Sequence, residues 1–207
     1  MSLIQGLDYT AVFIFALTGA LAASRAQLDI VGFLFLACLT AVGGGTLRDV
    51  ILNRDAVFWV SDPGMILSAC IAAILVFFTA HLFESRLRVL EWCDAAALAV
   101  AVPAGVGVAM GMGQSAPIVI IMGIATGTFG GLMRDVVCNE VPLVLKKGEL
   151  YATAAFTGAL GAVIIVALGL GTLAALLTCA LTTFALRAGS LHFGWCLPVY
   201  KSRPKRN

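Results

Sequence analysis

Long apolar runs limit what this chain can fold into. Seven of them cover roughly residues 6–24, 30–52, 65–83, 94–112, 117–138, 150–169 and 172–193. Each comes close to the ~20 apolar residues that a helix needs to cross a bilayer. The runs are continuous rather than alternating, which excludes a membrane β-barrel. Helices remain, because hydrocarbon gives an open backbone no hydrogen-bond partner. Composition agrees: 61% of residues are hydrophobic and 12% charged, against roughly half and a quarter in soluble domains. The expected fold is an all-α membrane protein with seven transmembrane helices, a single transmembrane domain over residues 1–207.

The opening "MSLIQGLDYT" has no Lys or Arg before its first apolar run, so that run is expected to be a retained span rather than a cleaved signal. With the N-terminus on side one, side two receives Arg25, Arg86, Arg88, Lys146, Lys147, Lys201, Arg203, Lys205 and Arg206, while side one receives only Arg54. Loops rich in Lys and Arg stay in the cytoplasm. The N-terminus is therefore expected outside and the C-terminus inside. Trp59, Trp92 and Trp195 sit near span ends, as interfacial anchors do. A net charge of +2 gives no basis for a nucleic-acid partner. The expected partner is the bilayer. The six cysteines form no CxxC pair and lie mostly in apolar runs, so they read as packing residues rather than a metal site.

The chain also repeats itself. "TAVGGGTLRDV" at 40–50 meets "TGTFGGLMRDV" at 126–136, an offset of 86 residues with six of eleven positions identical. At the same offset Asp8 meets Asp94, Gly19 meets Gly105 and Asn53 meets Asn139. Two units are expected, about 5–84 and 91–170, followed by a seventh helix at about 172–193 and a basic tail at 199–207. Three spans per unit make the second unit enter from the opposite side. The result is an inverted repeat, as in many transport proteins. Symmetry then brings spans two and five together at mid-membrane.

Those two spans carry Gly43, Gly44 and Gly45, and Gly130 and Gly131. Glycine admits almost any backbone angle, so these positions suit a kink or an unwound segment lining a pore. Close helix packing through small residues is the alternative. Arg48 with Asp49, and Arg134 with Asp135, follow each run. Charges within a membrane cost at least ~2.5–3.5 kcal/mol each and turn toward a bundle interior or water. Either they line or gate a pore, or they lock helices together. Neighbours at i and i+1 diverge on a helix, so each Arg and Asp is expected to find a different partner. Asp8 and Asp94 read as helix N-terminal carboxylates. His81 and His192 read as interfacial. Lys146 and Lys147 read as topology anchors, or as groups at an inner mouth that meet an anionic lipid. HExxH, GxSxG and a Ser-His-Asp set are all missing from the sequence, so no enzyme is expected.

These residues resemble the bacterial trimeric intracellular cation channel family, which also carries a glycine-transporter-like label. The likeness rests on "AVGGGTLRDV" with "VFWVSDP", on "GLMRDVVCNEVPLVL" with "ELYATAAFTGAL", and on "LRAGSLHFGWCLP". It runs through nearly the whole chain, in order. The resemblance implies a homotrimer with a pore inside each protomer, lined by glycine-kinked second and fifth helices and passing potassium above all. It implies no cofactor; a permeant potassium or sodium ion and a bound lipid are the expected occupants. Two departures stand out. Phe129 replaces the first glycine in the second run, and "LKKGELYA" holds one residue more than the usual loop. The residues alone also suit a carrier for glycine or a similar small amino acid, with half-helix ends around a midplane site. The resemblance favours the channel.

Overall fold

The computed structural model describes residues 3–82, 85–146 and 149–198. Lys147 and the basic tail at 199–207 lie outside them. The described chain is all-helical. The helices are α1 (Leu3–Arg25), α2 (Ile30–Ile51), α3 (Phe58–Ser61), α4 (Gly64–Thr79), α5 (Arg86–Gly111), α6 (Ala116–Val137), α7 (Ala152–Ala167) and α8 (Thr172–Phe193), with single 3-10 turns at Ala80–Leu82 and Leu143–Leu145. Six helices are long and apolar enough to cross a membrane, Gly64–Leu82 counting as one; α7 is apolar but only 16 residues long. Large hydrophobic side chains such as Val31, Phe35, Leu67, Phe78, Ile121, Leu173 and Leu181 point outward. A soluble surface would not tolerate such a belt. This is a multi-pass membrane protein.

The helices end where the sequence signals it. The Asp29 side chain accepts from Gly32 N at 2.8 Å and caps α2. Asn53 and Asn139 adopt φ of 49° and 55° just past α2 and α6, the left-handed conformation that asparagine tolerates. Two ends differ from expectation. The fourth span begins at Arg86, not near 94, so Arg86 and Arg88 belong to the helix itself. The short α3 falls in what reads as a loop, because four residues carry no helical period.

The core is built from small residues. Ala16, Ala20, Ala37, Ala69, Ala97 and Ala104 are fully buried. Without a hydrophobic force between helices in lipid, such residues let backbones approach for dispersion contact. α5 lies against α1, α6, α7 and α8, and α2 crosses α6. The Ser24 carbonyl accepts from Arg86 Nη1 at 3.2 Å, which sets the start of α5 beside the end of α1.

Candidate functional site

The glycines mark the α2–α6 crossing. A Cβ on Gly44 would run into the Thr126 carbonyl oxygen, and a Cβ on Gly130 into that of Thr40. Thr40 and Thr126 are themselves 86 residues apart, and each donates its hydroxyl one turn back, to Leu36 and Met122, at 2.6 Å. Each helix thus presents a glycine to the other's threonine carbonyl. Both helices run through their glycines without a break. The expected unwinding is therefore absent. The glycines let the two helices approach closely.

The charged residues form two matching clusters. In the first, Arg48 Nε donates to Asp49 Oδ1 at 2.7 Å, and Arg48 Nη1 donates to Asp8 Oδ1 at 3.0 Å. Asp49 also accepts from Arg54 Nη1 at 3.1 Å and from Phe58 N at 2.8 Å. In the second, Arg134 Nε donates to Asp135 Oδ1 at 2.8 Å, and Nη1 donates to Asp94 Oδ1 and Thr18 Oγ1, both at 2.9 Å. Asp135 accepts from Leu143 N at 2.9 Å. Two expectations are corrected. Each arginine does bond the aspartate next to it, because the long guanidinium arm folds back past the helix. Asp8 and Asp94 are not end caps. Asp94 lies deep inside α5, and both carboxylates pair with buried arginines. A buried cation must be paired to be tolerable.

The clusters differ in access. Asp8, 8% exposed, borders an open vestibule of about 350 Å³ that is lined also by Gln5, Arg54, Phe58, Asp62 and Met65. Asp62 accepts from the Tyr9 hydroxyl at 2.9 Å. Beyond Phe58 lies a narrow void of about 10 Å³, bordered by Asp8, Gly45, Ala101 and Thr126, roughly what one water needs. The second cluster is shut: Asp94 and Arg134 are 0% exposed and Tyr151 is 1%. Several of these groups had no clear signal in the sequence. Phe58, Asp62 and Tyr151 lie in connections. Arg187 reads as one more charge in an apolar run, yet it is fully buried and pairs with Glu149 at 2.7 Å. Lys146 meets Glu91 at 3.7 Å; Lys147 lies outside the described residues. Gly43 faces Met133 and lines, with Phe129 and Trp59, an apolar groove on the protein surface.

A family model described as Glycine transporter matches this chain twice, over residues 5–81 and 91–167. A UPF0126 membrane protein of Vibrio cholerae is 37% identical over 204 residues, covering 96% of this chain and 83% of that protein. The UPF0126 inner membrane protein YadS of Escherichia coli K12 is 36% identical, over 75% of each chain. The solved structure of the TRIC trimeric intracellular cation channel orthologue from Rhodobacter sphaeroides superimposes with a TM-score of 0.90 at 41% identity, covering 94% of this chain and all of that one. With one model fitting both halves and the likeness running nearly end to end, this chain belongs to the glycine-transporter model family, the family of the bacterial trimeric intracellular cation channels.

Proposed function

We propose that this protein is a cation channel that passes potassium through a path inside each protomer, between α1, α2, α5 and α6. The observation that carries the reading is the polar vestibule and the narrow void bordered by Gly45 and Thr126, with Asp8 and Phe58 on the walls of both. A path of this kind offers a dehydrating cation oxygen ligands without trapping it. Gly43, Gly44 and Gly130 hold the two pore helices together, while Gly45 and Gly131 make room for Phe58 and Tyr151. Arg48, Asp49, Arg134 and Asp135 fix the walls, and Asp8 faces the ion. α7, about 24 Å long at 1.5 Å per residue, serves as the sixth of seven spans.

The two units, with their matching clusters, form an inverted pair, and three protomers assemble as a homotrimer. The orientation is N-terminus out and C-terminus in, in a bacterial inner membrane. The vestibule then opens outside, and Lys146 sits at the inner mouth, where an anionic lipid head group can meet it. No cofactor enters the mechanism.

A second reading, a carrier for glycine, draws on the family model's own description. Potassium flux and radiolabelled glycine uptake, measured on one proteoliposome preparation, separate the two. Fast potassium flux without glycine accumulation is expected. Saturable glycine uptake with little potassium flux would overturn the channel reading.

The vestibule's charge gives a further expectation. Asp62→Asn removes an anionic group from the mouth, where it concentrates cations. Conductance in dilute KCl, about 0.01 M, should fall severalfold, and the loss should fade toward 1 M as the Debye length shrinks from about 30 Å to 3 Å. A loss of equal size at both salt levels would assign Asp62 a structural role through Tyr9 instead.

A further inference from the structure

Each α6 and α2 glycine nearest the charged cluster is covered by an aromatic residue from a connection. A Cβ on Gly45 would lie 2.5 Å from the Phe58 ring, and one on Gly131 would lie 3.2 Å from the Tyr151 hydroxyl. An arginine stands over each ring: Arg48 at 5.3 Å from the Phe58 centroid and Arg187 at 5.0 Å from that of Tyr151. Phe58, like Asp8, borders both the vestibule and the narrow void. Tyr151 covers Gly131 at the Asp94 end, from a connection that the 86-residue repeat does not pair with Phe58.

The two differ in what holds them. Arg48 belongs to the repeated unit. Arg187 comes from α8, which belongs to neither unit. Its Nη2 pairs with Glu149 Oε2 at 2.7 Å, two residues before Tyr151. Ser190, also on α8, accepts from Leu150 N at 3.1 Å and donates to the Trp195 carbonyl at 2.9 Å. The segment 149–151 is thus tied to α8 on three successive residues. Above Gly131 the Tyr151 hydroxyl, Asp94 and Arg134 converge, so the ring covers the buried ion pair.

We propose that Tyr151 is the gate at the Asp94 end of the path, latched shut by Arg187 and Glu149. The proposal rests on the channel reading. Arg187 and Glu149 are positioning residues; Tyr151 alone blocks the ion. When the latch releases, segment 149–151 swings the ring off Gly131 and exposes the Asp94 carboxylate to the adjoining solution.

The test is potassium and chloride flux from proteoliposomes holding wild-type protein, Tyr151→Ala, Tyr151→Phe or Glu149→Gln. Tyr151→Ala and Glu149→Gln should raise potassium flux about tenfold, the scale of one lost cation–π or ion-pair contact on a closed–open equilibrium. Chloride flux should not rise with it. Tyr151→Phe keeps the ring and should stay within about twofold of wild type. If Tyr151→Ala fails to purify as a folded species, Glu149→Gln, at the edge of the cluster, carries the test. A conducting wild type whose folded variants show no gain would overturn the gate and leave the channel standing. A gain shared by chloride would mark a general leak and overturn it as well. No potassium flux in any of the four proteins would overturn the channel and the gate with it.

Discussion

Replacing Asp94 with alanine is expected to cost about 3–5 kcal/mol of stability, the penalty for stripping a partner from a buried charge. Arg134 is fully buried, and its Nη1 would keep only the Thr18 hydroxyl. The remaining Asp135 carboxylate is already shared with Leu143 N. Asp8→Ala should cost clearly less. Asp8 borders the vestibule, so water can replace its carboxylate at Arg48. A double change, Asp94→Ala with Arg134→Met, removes the stranded cation and should recover most of the loss, since an apolar pair is often as stable as a buried ion pair. The check is the unfolding midpoint of each variant in detergent. Equal shifts for Asp8→Ala and Asp94→Ala would contradict the difference in burial on which this expectation rests.

The second large effect is expected at the helix crossing. Gly44→Ala and Gly130→Ala each force a methyl group against a backbone carbonyl of the facing helix. A carbonyl cannot turn aside as a flexible side chain does, so α2 and α6 must part. Overpacking of this kind costs about 1–3 kcal/mol per site, and separation of the helices also disturbs the path between them. The double variant should lose both stability and flux. Gly161→Ala is the control: its Cβ would make an ordinary contact 3.6 Å from Thr178. It should be neutral, or more stable by up to about 1 kcal/mol, because alanine lowers the entropy of the unfolded chain. If Gly44→Ala and Gly130→Ala behave like Gly161→Ala, the glycines are not the contact points described here.

Much of this was legible in the sequence because hydropathy and identity carry over distance. The apolar runs locate the spanning helices to within about a turn, apart from the start of α5, where Arg86, Arg88 and Glu91 break the run while the helix continues. The offset of 86 residues pairs Arg48 with Arg134 and Asp8 with Asp94, and the structure places both pairs in equivalent contacts. Partner choice was not legible. That Arg48 reaches its own neighbour Asp49 depends on a side-chain path, not on helical period. Asp94 reads as an end cap only while the start of α5 is misplaced. Phe58, Tyr151 and Arg187 show no periodic signal. They become visible once the chain is folded and the rings lie over glycines. The triple glycine reads first as a break, with contact as the alternative; only the facing threonine carbonyls reveal the contact at Gly44 and Gly130.

A cation path within the protomer should show itself in single-channel recording of the purified protein in a planar bilayer under a KCl gradient. Unitary currents that reverse near the potassium equilibrium potential, with a reversal that moves toward chloride in Asp8→Asn, are the predicted result. A bilayer that holds the protein and passes no unitary current, or current that reverses at the chloride potential in wild type, would contradict it.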